Sequence, residues 1–107
     1  MTGTPLLNLK IHDVLEVDRP RERLIRQGAK SLSNQELIAI LLGTGTKKES
    51  VLTVANRVLI NFEKLHNLKH ATLEEITDIK GIGEAKAVLL LAAIELGRRL
   101  ATKDIEE

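Results

Sequence analysis

The sequence predicts an all-α fold, a compact bundle of about five or six short helices that contains a helix-hairpin-helix. Three observations carry that expectation. Apolar residues recur at helical spacing or fill short segments entirely, and no stretch alternates as a strand would. Helix-start signals stand before these segments: Pro20, the Ser33/Glu36 and Thr72/Glu75 capping-box pairs, and Ser50. The core available to such a bundle is aliphatic, since nineteen Leu and ten Ile accompany a single aromatic residue, Phe62.

The elements follow in order. Residues 1–17 lack a sustained period and read as an extended N-terminal arm, with Leu9, Ile11 and Val14 able to dock on the domain that occupies 18–107. A first helix begins at Pro20, with Asp18 or Arg19 in the cap region, and ends near Gly28. Arg19, Arg21, Arg23 and Arg26, with Lys30 beyond, make this the most basic stretch. Ser33 and Glu36 open a second helix, Leu37–Leu42, which is apolar on every face and so belongs in the middle of the domain. The loop Gly43-Thr44-Gly45-Thr46-Lys47-Lys48 reads as a structural connector, or as a degenerate second hairpin. Ser50 then caps a third helix with Val51 or Leu52, Val54, Ala55, Val58 and Leu59 inward. A helical turn over Leu65–Leu68 leads to the hairpin unit, and a last helix runs from about Glu84 to Leu100.

In the hairpin unit, Leu73, Ile76 and Ile79 form one face of a short helix that Thr72 and Glu75 cap. Gly81-Ile82-Gly83 follows, a turn with glycine on both sides of an inward Ile, and another helix starts at once. Ala87 is small where the two helices cross, and Val88 and Leu91 continue the inward face. Glycines permit backbone angles that side chains forbid and let another molecule's backbone come close. The first turn of the next helix presents N–H groups without intrahelical acceptors and the positive end of the dipole, which suits a phosphate oxygen. The candidate DNA-phosphate contacts are therefore Lys80, Gly81, Ile82, Gly83, Ala85 and Lys86.

Composition excludes much else. With Phe62 alone and neither Trp nor Tyr, the composition argues against a module that stacks bases on aromatic platforms, so nucleic-acid contact is expected to run through phosphates. Without cysteine there are no disulfides, iron–sulfur clusters or thiol catalysis. His66 and His70 stand four apart but lack the Glu of His-Glu-x-x-His. The serines are taken by turns and caps, and the adjacent carboxylates Glu74-Glu75 and Glu106-Glu107 diverge on a helix. Neither a metal site, a cofactor nor an active site is expected. The longest apolar run, Ala87–Ile94, is too short to span a bilayer, and the start lacks the pattern of a signal peptide, which points to a cytoplasmic protein. The net charge is +1, with the Lys and Arg excess before residue 71 and an acidic excess after it. That balance favours weak rather than strong DNA binding.

Arg19-Pro20-Arg21-Glu22-Arg23-Leu24, Gly28-Ala29, Leu32-Ser33-x-x-Glu36-Leu37, Leu41-Leu42-Gly43-Thr44-Gly45-Thr46 and the stretch from Ile79-Lys80-Gly81-Ile82-Gly83 through Glu95-Leu96-Gly97-Arg98-Arg99-Leu100 closely resemble the amino-terminal domain of the RadC family, bacterial proteins labelled DNA repair proteins. The resemblance covers residues 19 to 100. It implies a DNA-associated role and, in intact members, a following JAB/MPN-type domain similar to zinc metallopeptidases, with a His-x-His motif and a downstream Asp. The sequence ends at Glu107 before any such motif, so it reads as part of a longer protein and no metal or hydrolytic role passes to its residues. A more distant similarity, from Glu36 to Leu42 and again at the hairpin, is to helix-hairpin-helix DNA glycosylases. Those that cut the backbone carry a catalytic Lys where this chain has Ala85, and Lys86 stands about 100° further round the helix.

Two readings follow. The first is a noncatalytic module that gives weak, sequence-independent DNA contact. The second is a protein-interaction or regulatory domain that docks on the JAB/MPN-type domain or on another protein.

Overall fold

A computed structural model describes residues 19–102. The arm expected over 1–17 lies outside the described residues. Among the described residues every regular element is helical, five α-helices and two 3₁₀ segments. The chain divides into two compact units, Met1–Ser33 and Asn34–Glu107.

In the first unit, α1 (Pro20–Gln27) takes Pro20 in its first turn and Arg19 as its N-cap. Pro suits that position because the N–H it lacks would have no helical acceptor. Gly28 ends the helix at φ 90°, donating its N–H to the Leu24 carbonyl. A 3₁₀ segment, Ala29–Ser31, follows, and Arg23 Nη2 donates to the Ser31 carbonyl at 2.8 Å. The basic residues therefore do not form one free face. Arg19, Arg23 and Arg26 recur at helical spacing, Arg21 does not, and Arg23 holds the turn beyond its own helix.

The second unit contains α2 (Asn34–Leu42), α3 (Val51–Phe62), a 3₁₀ segment Leu65–His70, α4 (Leu73–Thr77) and α5 (Glu84–Ala101). Its core joins Ile38, Ala39 and Leu42 of α2, Val54, Ala55 and Val58 of α3, Leu68, Ile76, Ile79, Ile82, and Ala87 and Leu90 of α5. The sequence is right about the inward face of α3. It is right that α2 is central, although Leu41 is half-buried and Leu42 is the deeper residue. Two faces need correction. Leu73, at the start of α4, is 39% exposed, because that short helix is held by Ile76 and by Ile79 in the turn beyond it. On α5, Val88 is 52% exposed and Leu90 is buried instead. A segment apolar nearly all round gives periodicity no face to choose.

α2 packs on α3 and α5, and α4 packs on α5. Two helix–turn–helix units thus lie together, one bending at 43–50 and the other at 78–83. Among the described residues no helix is long and apolar enough to cross a membrane.

Candidate functional site

The second bend starts where α4 ends. Thr72 Oγ1 accepts from the Glu75 N–H at 3.1 Å while Glu75 Oε1 accepts from the Thr72 N–H at 2.9 Å, a complete capping box that stabilises a helix of only five residues. The turn then winds tightly, with Ile79 N–H donating to the Ile76 carbonyl and Ile82 N–H to the Ile79 carbonyl, both at 3.1 Å. Ile79 and Ile82 are both buried, which pins the turn from inside.

The two glycines do different work. Gly81 has φ 98°, and a Cβ there would stand 3.0 and 3.2 Å from the methyls of Val54. It is demanded by conformation and by close packing on α3. Gly83 has φ −91° and nothing within 4 Å of where a Cβ would be. It is the N-cap of α5, exposed and without a side chain to satisfy the helix start. The N–H groups of Glu84, Ala85 and Lys86 lie in that first turn, before Ala87 N–H donates to the Gly83 carbonyl at 3.0 Å. Glu84 and Ala85 are exposed.

The first bend lies beside the second. Gly43 stops α2 at φ 81°, its N–H still donating to the Ala39 carbonyl at 3.0 Å. A Cβ on Gly45 would overlap the Glu49 carbonyl, so the chain can double back there only with glycine. Thr46 Oγ1 accepts from the N–H groups of Lys48 and Glu49 at 3.2 and 3.0 Å, and Ser50 caps α3 by accepting from Thr53 N–H at 3.2 Å. A Cβ on Gly81 would also meet the Thr46 methyl at 3.6 Å, so the two bends are in contact.

Side chains fasten this contact. Arg57 on α3 makes a two-pronged ion pair with Glu49, with Nη1 2.9 Å from Oε1, and Nη1 also donates to the Lys80 carbonyl at 2.8 Å. The hydrogen bond from Arg57 holds the Glu49 carboxyl below the usual carboxylate range, and Lys80 nearby adds to this. Lys86 donates to the Thr44 carbonyl, with Thr44 Oγ1 at 3.3 Å and the Gly45 carbonyl at 3.4 Å. The residue expected on a phosphate is thus directed at the first bend.

Of the six sequence-chosen residues, Gly83, Ala85 and the side chain of Lys80 face outward, Gly81 and Ile82 build the turn, and Lys86 ties it to its neighbour. Sequence reasoning missed Lys47 and Lys48, which with Lys80, Thr46 and Glu49 line one shallow concavity beside the turn. The signal was present as two lysines closing a glycine-containing loop, but nothing local says that this loop meets Gly81. With Glu49 paired to Arg57, the three lysines leave the concavity positive. His66 and His70 lie on the 3₁₀ segment, where four positions do not bring side chains to one face, and both are exposed. Among the described residues no group of three or more His, Cys, Asp or Glu is placed to hold a metal ion.

Residues 11–88 match the model of the family described as UPF0758 N-terminal. Curated relatives include UPF0758 proteins of Halalkalibacterium halodurans (56% identity, 90% of this chain and 41% of the relative), Bacillus licheniformis (59%, 90% and 44%) and Geobacillus kaustophilus (62%, 84% and 40%). The chain spans less than half the length of these relatives. No solved structure significantly matches it.

Proposed function

The chain belongs to the UPF0758 N-terminal family, and from its paired bends we propose that it is a noncatalytic, helix-hairpin-helix-like module that holds nucleic acid weakly by backbone phosphates. The observation that carries the reading is a single turn that presents an uncluttered helix start at Gly83 and, at Lys80, one wall of a concavity also lined by Lys47 and Lys48. The amides of the first turn of α5 would receive one phosphate oxygen, and the lysines would neutralise its neighbours. The resemblance to RadC proteins supports the same reading. Lys86 serves as a positioning residue that keeps the lysine-bearing loop against the turn. Glu84, exposed in the first turn, opposes the phosphate and limits affinity. Contact confined to phosphates makes binding indifferent to sequence.

Affinity for duplex DNA measured against salt tests this. Three neutralised phosphates give a slope of about −3 for log affinity against log salt. Lys47→Ala with Lys48→Ala flattens it by about two units. Absence of salt-dependent association with duplex, single-stranded or branched DNA at low ionic strength overturns the proposal.

A further inference from the structure

α5 is apolar on two opposite sides. Its inner side, Ala87, Leu90, Leu91 and Ile94, belongs to or packs against the core. On its outer side Leu89, Leu96 and Leu100 are 46, 62 and 67% exposed and recur at helical spacing, with Ala92 between them. A helix that buries one face in its own domain ordinarily turns a polar face to water. The outer ridge also continues across Ala93 into a shallow apolar groove between α5 and α2, walled by Leu37 and Leu41 and rimmed by the exposed Leu65. A contiguous apolar surface of this kind marks a contact with another protein surface.

We propose that this ridge and groove seat an apolar face of the polypeptide that follows this domain in the longer proteins of the family. The matched family is an N-terminal one, and more than half of each relative's length lies outside the match. α5 is the last described helix, and its exposed leucines reach its final turn, so a following segment starts within reach of them. A second copy of the chain fits less well. A second copy would have to bury ~800 Å² per partner to make a standard stable interface. A tethered segment, at millimolar effective concentration, needs far less area. The inference does not depend on DNA binding, which uses the opposite surface features at the helix start.

Thiol accessibility tests it. The chain has no cysteine, so Leu96→Cys supplies one maleimide-reactive site. In the chain itself it labels fast at every protein concentration. In the full-length Halalkalibacterium halodurans relative, a cysteine at the position matching Leu96, read by peptide mass, labels at least about ten-fold more slowly, as a millimolar effective concentration gives against a ~0.1 mM contact. A cysteine matching the exposed Asn61 labels alike in both and reports that each is folded. Equal rates at the Leu96 position overturn the proposal. Labelling in the 107-residue chain that slows with concentration, assigning the ridge to a second copy, also overturns it. So does slow labelling that removal of residues 1–17 releases.

Discussion

Gly81 and Gly83 look equivalent in the sequence and are opposite in the structure. Gly81 has a positive φ and faces Val54, whereas Gly83 has an ordinary φ and open space. Gly81→Ala therefore meets both backbone strain and the Val54 methyls, at a cost of about 1–3 kcal/mol. Gly83→Ser is neutral or stabilising, because serine is a favoured N-cap where glycine provides no acceptor. Chemical denaturation of both variants checks the contrast, and equal losses would show that the turn is wrongly described. The Gly-x-Gly pattern made the turn legible. The division of labour was not, because it depends on Val54 and Thr46, which approach from another part of the chain. The same reason hid the engagement of Lys86: a lysine three residues past a turn looks free until the Thr44 carbonyl is brought to it.

Element starts were legible because capping is local: Pro20, Ser50 and the Thr72/Glu75 pair all stand where their chemistry requires. Element faces were legible only where polar residues interrupt the apolar ones, as on α3. On α4 the structure separates two residues that periodicity had placed together. Ile76 is fully buried and Leu73 is not, so Ile76→Ala costs about 2–5 kcal/mol while Leu73→Ala stays near the ~0.5 kcal/mol of surface changes. A second prediction concerns how the elements are fastened. The Glu49–Arg57 pair joins the first bend to α3, and Arg57 reaches on to the Lys80 carbonyl in the second. Because folding lowers the Glu49 pKa, the carboxylate stabilises the fold above its unfolded value, ordinarily 4.5, and that contribution is lost as pH falls through the folded pKa. Glu49→Gln thus melts lower than the wild type at neutral pH, and the gap closes under acid conditions. A gap that persists unchanged in acid would remove the ion pair from the account.

At the scale of the whole molecule, what brings the two bends together is the second unit alone. Its core runs from Ile38 to Leu90, and the partly buried residues packed against it run from Leu41 to Ile94. The long-range geometry of the candidate site, with α3 between the bends and α5 beginning at one of them, is thus contained within Asn34–Glu107. A unit of this size is small, and domains near 60 residues bury only about 60% of the surface their unfolded chains expose. It compensates with an aliphatic core spread over every helix of the unit, with Val54, Val58 and Ile76 fully buried. Residues 34–107 produced alone should therefore keep the helical circular-dichroism signal and unfold in one cooperative transition, with ellipticity and amide-exchange protection lost together. The helices of such a piece pair mostly with near neighbours in sequence, so refolding should be fast and single-exponential. The salt dependence of DNA association should survive the truncation, since Lys47, Lys48, Lys80 and Gly83 all remain. A broad, non-cooperative loss of structure would show that the second unit borrows stability from residues 1–33. Cooperative folding with the salt dependence abolished would instead move the proposed contact to the arginine-bearing first unit.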